Sequence, residues 1–364
     1  MIPRVSVVMA VRDGASYLES SLRSILGQSL RELECIVVDD GSADATPAIL
    51  RRLARDDDRL RVVSRENKGL AASLNEACAL ARAPYLARMD ADDISLPRRL
   101  ERQAALLDKR PEVAICGSFA VTFGAFPWRP VLLPTKDAAI RCELLFTNPL
   151  LHPAIMMRRE VPERLGGYDP AVTYAQDYDL WARALPLFSF ANYPSILLCY
   201  RRHRGQMGNV YADAVQKSEN EHVFAYLLGQ LDLTPTPMQL DLHFQISRCA
   251  SFFPVPPKSS EFLSRAEAWL QRLRCANHAR RLFPEPHFTR MLSKYWLAAC
   301  RSCHGLGGVT ARTYAASSLS PGGADSLAAR AWFAVDGLVR HWLIPTIPLT
   351  AVRSLTRRLK GKAA

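Results

Sequence analysis

The 364-residue chain has no run of about 18 uncharged apolar residues, so no membrane-spanning helix is expected. No G-x-G-x-x-G follows its first strand-like segment, which counts against a dinucleotide cofactor. No G-x-x-x-x-G-K-S/T phosphate loop is present, which counts against an ATPase. The opening Met1-Ile2-Pro3-Arg4-Val5 enters an apolar run directly, without a basic-then-apolar leader, so no secretory signal is expected. There is no Gly-X-Y period and no low-complexity tract, and 49% hydrophobic with 23% charged residues excludes a largely disordered chain. The nine cysteines are odd in number and scattered, which excludes a disulfide framework and suits reduced, cytoplasmic thiols. Cys300-Arg301-Ser302-Cys303-His304 matches the C-x-x-C-H spacing of covalent haem attachment. That chemistry needs an exported chain, so the match is read as a coincidence at a helix end.

What the chain has in excess is positive charge, 47 Lys+Arg against 35 Asp+Glu, or +12. The excess is uneven: residues 1–204 carry 28 basic and 25 acidic residues, and residues 205–364 carry 19 and 10, so the two parts hold +3 and +9. Such a surplus suits nucleic acid, a membrane surface or an acidic small molecule. A nucleic-acid binder would interleave aromatics with Lys and Arg. Here the basic residues are dispersed, and no nucleic-acid partner is expected. In the tail, Trp332, Phe333, Leu338, Trp342, Leu343, Ile344, Ile347 and Leu349 precede Arg353, Arg357, Arg358, Lys360 and Lys362. An apolar, Trp-bearing segment beside a basic cluster suits an interfacial helix on an anionic leaflet. The plainer reading is a docked helix with a solvated basic end. The expected location is cytoplasmic, peripheral on the inner face of the cytoplasmic membrane.

The first 110 residues alternate strand-like and helix-like segments: 5–11, 15–26, 33–38, 45–53, 60–63, 70–80, 85–89 and 97–107. Strands alternating with amphipathic helices imply right-handed βαβ units and a parallel sheet. Asp44 suits the N-cap of the second helix. Further on, 113–123, 154–157 and 196–200 read as strands, and 136–146 and 176–185 as helices. Beyond residue 209 only helices are convincing, at 212–231, 262–274 and 288–300, with Pro-rich breaks at 235–237 and 254–257. The fold class is therefore α/β with a mostly parallel sheet, followed by a helical C-terminal region. The division falls near residue 205, giving 1–205 as the catalytic unit and 206–364 as a mainly helical basic region.

In an open parallel sheet, ligands collect outside the carboxyl ends of the strands. Three such ends are polar here: Arg12-Asp13-Gly14, Asp39-Asp40-Gly41-Ser42 and Asp90-Ala91-Asp92-Asp93. Helix capping would need one acid per helix, not three after one strand. Converging carboxylates repel unless a cation compensates. Asp90 and Asp92 share a side if extended, so the pair suits one hard divalent ion with room for phosphate oxygens.

These segments, in this order, resemble family 2 inverting glycosyltransferases over about residues 3–205. The residues are the opening strand Val5 to Val11, Asp39-Asp40-Gly41-Ser42, Asn67-Lys68-Gly69 with Asn75, Asp90-Ala91-Asp92, and Gln176-Asp177-Tyr178-Asp179-Leu180-Trp181. The resemblance implies a GT-A fold, an αβα sandwich around a mixed sheet. It also implies transfer from a nucleotide-sugar donor, UDP- or dTDP-linked, with Mn²⁺ or Mg²⁺, to a hydroxyl of a glycan or lipid-linked acceptor in bacterial surface polysaccharide synthesis. Donor binding falls to Ala10, Arg12, Asp39, Asp40, Asn67, Lys68, Gly69, Asp90 and Ala91. Asp39 would accept from the pyrimidine ring, Asp90 would lie near ribose and sugar, Asp92 would hold the metal, and Asp177 would be the general base. Ala10-Val11-Arg12-Asp13 departs from the usual P-x-Y-N, and Gln176 stands where Glu is common. The Q-x-x-R-W motif of processive synthases is absent, with Tyr200-Arg201-Arg202-His203-Arg204 in its region, which favours one sugar per event.

His203, among three arginines, is a candidate metal or phosphate ligand. His152 and Trp181 are candidates for the acceptor side, the latter by stacking on a sugar, although a tryptophan on an amphipathic helix is more often core. Asp179 is the second choice for the base. A sugar-phosphate nucleotidyltransferase is the alternative function; it predicts a longer Gly-rich basic loop than Arg12-Asp13-Gly14. An inactive glycosyltransferase-like scaffold is the other, countered by the presence of Asp39, Asp90, Asp92 and Asp177.

Overall fold

A computed structural model describes residues 2–125, 128–203, 205–206, 213–250, 259–303 and 313–320. The apolar, basic tail and His304 lie outside the described residues.

The chain runs β1 (Val5–Val11), α1 (Leu18–Leu26), β2 (Leu33–Asp40), α2 (Thr46–Asp56), β3 (Leu60–Arg65), α3 (Leu70–Leu80), β4 (Tyr85–Arg88), β5 (Ile94–Ser95) and α4 (Arg99–Lys109). It continues through β6 (Val113–Gly124), β7 (Arg129–Val131), α5 (Asp137–Glu143), a 3₁₀ turn (His152–Ala154), β8 (Met156–Arg158), α6 (Glu160–Leu165), α7 (Gln176–Ala184) and β9 (Ser189–Arg202). After it come α8 (Asp213–Gly229), α9 (Pro237–Cys249), α10 (Ser260–Arg280) and α11 (His287–Ser302).

The sheet order is β3-β2-β1-β4-β8-β6-β9-β5, with β7 on β6. β1 to β4 pair in parallel, as the alternating sequence implies. β8 runs antiparallel to both β4 and β6, and β6 and β9 are parallel, so the sheet as a whole is mixed. The continuous apolar run of β1 follows from burial on both faces. Val5, Val7 and Met9 pack with Leu18, Leu22 and Leu100 of α1 and α4 on one side. Val8, with Ile36 and Val38 of β2, faces the other side and packs with Leu74 of α3.

That second cluster continues through Phe146 and Tyr178 into Phe224, Trp269, Leu292 and Trp296 of the C-terminal helices. His243 of α9 sits at the junction. Its Nε2 meets the Leu145 carbonyl at 2.8 Å and its Nδ1 accepts from Trp269 Nε1 at 3.0 Å. The ring stacks on Phe146 at 4.3 Å. No described helix is long and apolar enough to cross a membrane. Every described cysteine is a free thiol, with Cys300 and Cys303 buried against the helical core.

Candidate active site

Register builds the site. Val11 of β1 lies beside Asp39 of β2, and Val8 beside Arg88 of β4, so three loops leave one edge of the sheet together. Two of these loops are stitched to each other. Asp13 N donates to Ser42 Oγ at 2.9 Å, Ala43 N to Asp13 Oδ1 at 2.8 Å, and Gly14 N to Thr46 Oγ1 at 2.9 Å. Asp44 accepts from Thr46 N at 2.9 Å and Ala15 N at 3.0 Å. It therefore ties α2 to the first loop from one residue outside the cap position, which Ala45 occupies. Gly41 has φ +74, and a Cβ there would meet Asn67 N at 2.9 Å, so glycine permits the close approach of the 66–69 loop.

These loops open on a cleft of about 1530 Å³. Ala10, Arg12, Asp40, Asn67, Gly69, Asp90, Ala91, Asp92, His152, Asp177 and His203 all line it. Gln216, Lys217 and Asn220 of α8 and Phe244, Ser247 and Arg248 of α9 line it as well. The C-terminal helices are thus one wall of the cleft.

Three expected site residues lie elsewhere. Trp181 has no exposed surface and packs in the core, its ring 6.3 Å from that of His152. It cannot stack on a sugar, because its helix turns that face inward. Lys68 contributes its backbone N to Asp40 Oδ1 at 2.8 Å, and its side chain does not line the cleft. Asp39 is 2% exposed, with Oδ1 accepting from Ser42 N at 3.1 Å. Asp40 accepts from Arg65 at 2.7 Å and from the backbone N of Lys68 and Gly69, so it shapes the 66–69 loop.

Asp179 is not poised as a base. It is buried and paired with Arg183 at 2.7 Å, which in turn donates to the carbonyls of Leu165 and Gly167. Asp177 faces the cleft. Burial pushes its carboxyl up to about 6, against the opposing effects of Tyr178 N, the Arg88 charge and Asn148, whose Nδ2 donates to Oδ2 at 2.8 Å. An acid of that strength is mostly ionised at neutral pH yet more basic than an ordinary carboxylate, as a proton acceptor for an alcohol requires.

Across the cleft, Asp90, Asp92 and Asp93 bring carboxylate oxygens within 4.8 Å of one another. His203 Nε2 meets Asp92 Oδ2 at 2.8 Å. Burial, then the neighbouring Asp90, raises Asp92. Asp93 is fully buried, accepts from Arg201 N at 2.7 Å, and leaves Oδ2 without a partner. Arg201 is held between Tyr17 and Phe123 at 4.4 and 4.3 Å, which fixes the end of β9 against the acidic loop. A hard oxygen set with one imidazole and a surplus of negative charge fits a divalent ion.

Sequence reasoning missed Arg88, Asn148, Tyr168 and Glu219. Buried Arg88 contacts Asp90 at 2.5 Å and its charge also acts on Asp177, so it links the two sides. An arginine inside an apolar strand was a readable signal, since arginine is rarely buried unpaired. Tyr168 OH lies 2.9 Å from His152 Nε2, and burial followed by Arg88 holds that imidazole well below its usual range, so it is neutral.

The glycosyl transferase family 2 model matches residues 6–166. An uncharacterized glycosyltransferase of Haemophilus influenzae is 31% identical over 245 residues, covering 62% of this chain and 75% of the relative. The O-antigen biosynthesis glycosyltransferase WbnJ of Escherichia coli is 30% identical over 208 residues, covering 56% of this chain and 81% of the relative. Staphylococcus aureus TarS residues 1–349, solved with UDP-GlcNAc, share the fold with a TM-score of 0.57 at 17% identity, covering 85% of this chain and 91% of that one. With the acidic strand ends and the cleft in place, the chain belongs to glycosyl transferase family 2.

Proposed function

We propose that the protein moves a single sugar from a nucleoside diphosphate donor to a hydroxyl of a glycan or lipid-linked acceptor, with inversion, in bacterial surface polysaccharide synthesis. One observation carries the reading: a cleft-facing carboxyl, Asp177, raised to about 6, shares one cavity with Asp90, Asp92 and the His203 that contacts Asp92. UDP is the first donor nucleotide to test, with dTDP second; TarS was solved with UDP-GlcNAc.

The acceptor hydroxyl attacks the anomeric carbon from the face opposite the leaving diphosphate. Asp177 takes its proton during attack, and Asn148 holds the carboxylate in place. A single carboxylate suffices, since no covalent intermediate forms. Arg12, Asn67 and the 66–69 loop organised by Asp40 face the nucleotide end. Asp92 and His203 are the residues that would hold Mn²⁺ or Mg²⁺, with Asp90 beside them; such an ion, when bound, would supply positive charge to offset that of the departing diphosphate. His152, neutral and held by Tyr168, is the candidate to orient the acceptor; its place in the same cleft wall as Asp177 supports this.

The test is a panel of UDP-, dTDP- and GDP-sugars, scored by nucleoside diphosphate release with and without Mn²⁺, on wild type and Asp177→Asn. Release that depends on Asp177 is expected. If no donor binds or turns over, the reading fails; if Asp177→Asn keeps full transfer, the base assignment fails.

A further inference from the structure

We propose that Glu219 of α8 and Gln176 of α7 are positioning residues that clamp residues 173–175 and so hold Asp177 toward the cleft. The proposal rests on the reading of Asp177 as the base. Helix α7 begins without a local cap: Ala175 occupies the N-cap position and has no side-chain group to offer. Its leading N–H groups would otherwise need partners. Glu219, more than 40 residues away, partners the three N–H groups that lead into the helix, those of Thr173, Tyr174 and the N-cap Ala175. Oε1 accepts from Thr173 N at 2.9 Å and Thr173 Oγ1 at 2.6 Å. Oε2 accepts from Tyr174 N at 2.6 Å and Ala175 N at 2.7 Å. Burial works against the Glu219 carboxylate, and these four bonds, with Thr173 foremost, hold it below its usual range. An anion at a helix N-terminus is also favoured by the aligned backbone dipoles.

The same loop is held from its carbonyl side. Two carbonyls face the amide of buried Gln176, which assigns its nitrogen to that side; so oriented, it donates to Tyr174 O at 2.7 Å and Thr173 O at 3.2 Å. An ionised glutamate there would present oxygen to both carbonyls. This gives the departure at Gln176 a physical sense: in this chain the loop needs a donor at that position. The division of labour matters for the chemistry. The first turn of α7 carries Asp177 and Asp179, and an acid there could fold back as the cap. Asp177 Oδ1 takes one first-turn group, Tyr178 N at 2.8 Å, and Glu219 takes the N–H groups ahead of it from outside. Asp179 goes to Arg183, and Asp177 keeps Oδ2 on Asn148 at the cleft. Helix α8 also lines the cleft through Gln216, Lys217 and Asn220, so one helix both walls the cleft and fixes the base.

The experiment measures kcat and donor KM for Glu219→Ala, Glu219→Gln and Gln176→Glu in the full chain, using whichever sugar nucleotide of the UDP, dTDP and GDP panel wild type turns over. The nucleoside diphosphate Kd and amide exchange at 173–175 are measured alongside. Glu219→Ala should lower kcat by about 10- to 100-fold, the scale of a misplaced catalytic group, with donor KM and nucleotide Kd within about twofold. Glu219→Gln, which keeps one acceptor oxygen, should fall between, and exchange at 173–175 should rise in the same order. Gln176→Glu should lower kcat with KM likewise preserved. A kcat unchanged per nucleotide-binding molecule overturns the proposal, and so does a loss that merely tracks the fraction of folded protein. Asp177→Asn, run in parallel, separates the two readings: if it stays active the base reading falls and the clamp with it, whereas an inactive Asp177→Asn beside a fully active Glu219→Ala removes the clamp alone.

Discussion

At the residue scale, the pH profile follows from one carboxyl. Asp177 must be ionised to accept a proton, and burial sets it at about 6. The rate should therefore fall as pH drops through that value, roughly tenfold for each further unit. Asn148 donates to the charged form, so Asn148→Ala should raise the carboxyl further and move the acid limb to higher pH; a limb that stays or moves down refutes the contact. The same residue burdens the fold. Its folded value lies above its unfolded value of 3.8, so the native state binds the proton more tightly, and ionisation destabilises it as pH rises through that window. A shift of two units is at most about 3 kcal/mol, and water in the cleft reduces it to about 1–2. Asp177→Asn should abolish transfer and raise Tm at pH 7, with the gain shrinking toward pH 4, as thermal melts would report. Asp177 was readable from its motif, and so were Asp90 and Asp92. Glu219 was not, because its role depends on a contact formed 44 residues along the chain that no local spacing encodes.

At the element scale, the βαβ half was legible because β1, β2 and β4 are buried on both faces, the edge strand β3 is half-buried, and each helix is buried on one, so periodicity and punctuation agree. The rest was harder for identifiable reasons. β9 extends from Ser189 to Arg202, but Asn192, Tyr193 and Pro194 interrupt its apolar pattern, and only its last part read as a strand. α9 was missed because Pro235 to Pro237 read as a break. Pro237 is in fact at the helix start, where its missing N–H costs nothing, and Thr236 with Gln239 forms a capping box. That helix carries His243, whose burial lowers it to about 4. Here the folded value lies below the unfolded one of 6.5, so stability is whole above 6.5 and lost as pH falls toward 4, by about 3 kcal/mol. His152 adds in the same direction, while Asp177 opposes both below 6. His243→Phe should flatten the acid slope of Tm. It should also cost stability at pH 7, because the Leu145 carbonyl and Trp269 N–H lose their partner. A variant with the wild-type acid slope would show that His243 is not the titrating group.

At the scale of the whole molecule, the charge of +12 has little to do with the chemistry. The catalytic cleft draws on acids in a part of the chain that is close to neutral, and the surplus lies in residues 205–364. Those residues are also structural partners of the cleft. Phe146 and Tyr178 share one apolar cluster with Phe224, Leu227, Leu228, Trp269 and Trp296. Each such side chain is worth about 1.5–3 kcal/mol of burial, and together they approach the about 5–15 kcal/mol by which a native fold is stable. A chain ended at residue 205 should therefore aggregate or fail to bind nucleoside diphosphate. A chain ended at residue 320 should bind it with unchanged Kd. If the shorter chain binds normally, the helices are dispensable to the site. For residues 351–364 a separable task is proposed. They hold Arg353, Arg357, Arg358, Lys360 and Lys362 and no acid, so they should add about 1 kcal/mol per cation on an anionic leaflet. Deleting them should leave donor turnover intact, yet reduce co-sedimentation with phosphatidylglycerol vesicles. Salt should erase the difference between the two chains, because screening weakens these contacts as the Debye length shortens. Equal sedimentation of both chains at low salt would place the surplus charge elsewhere in the C-terminal region.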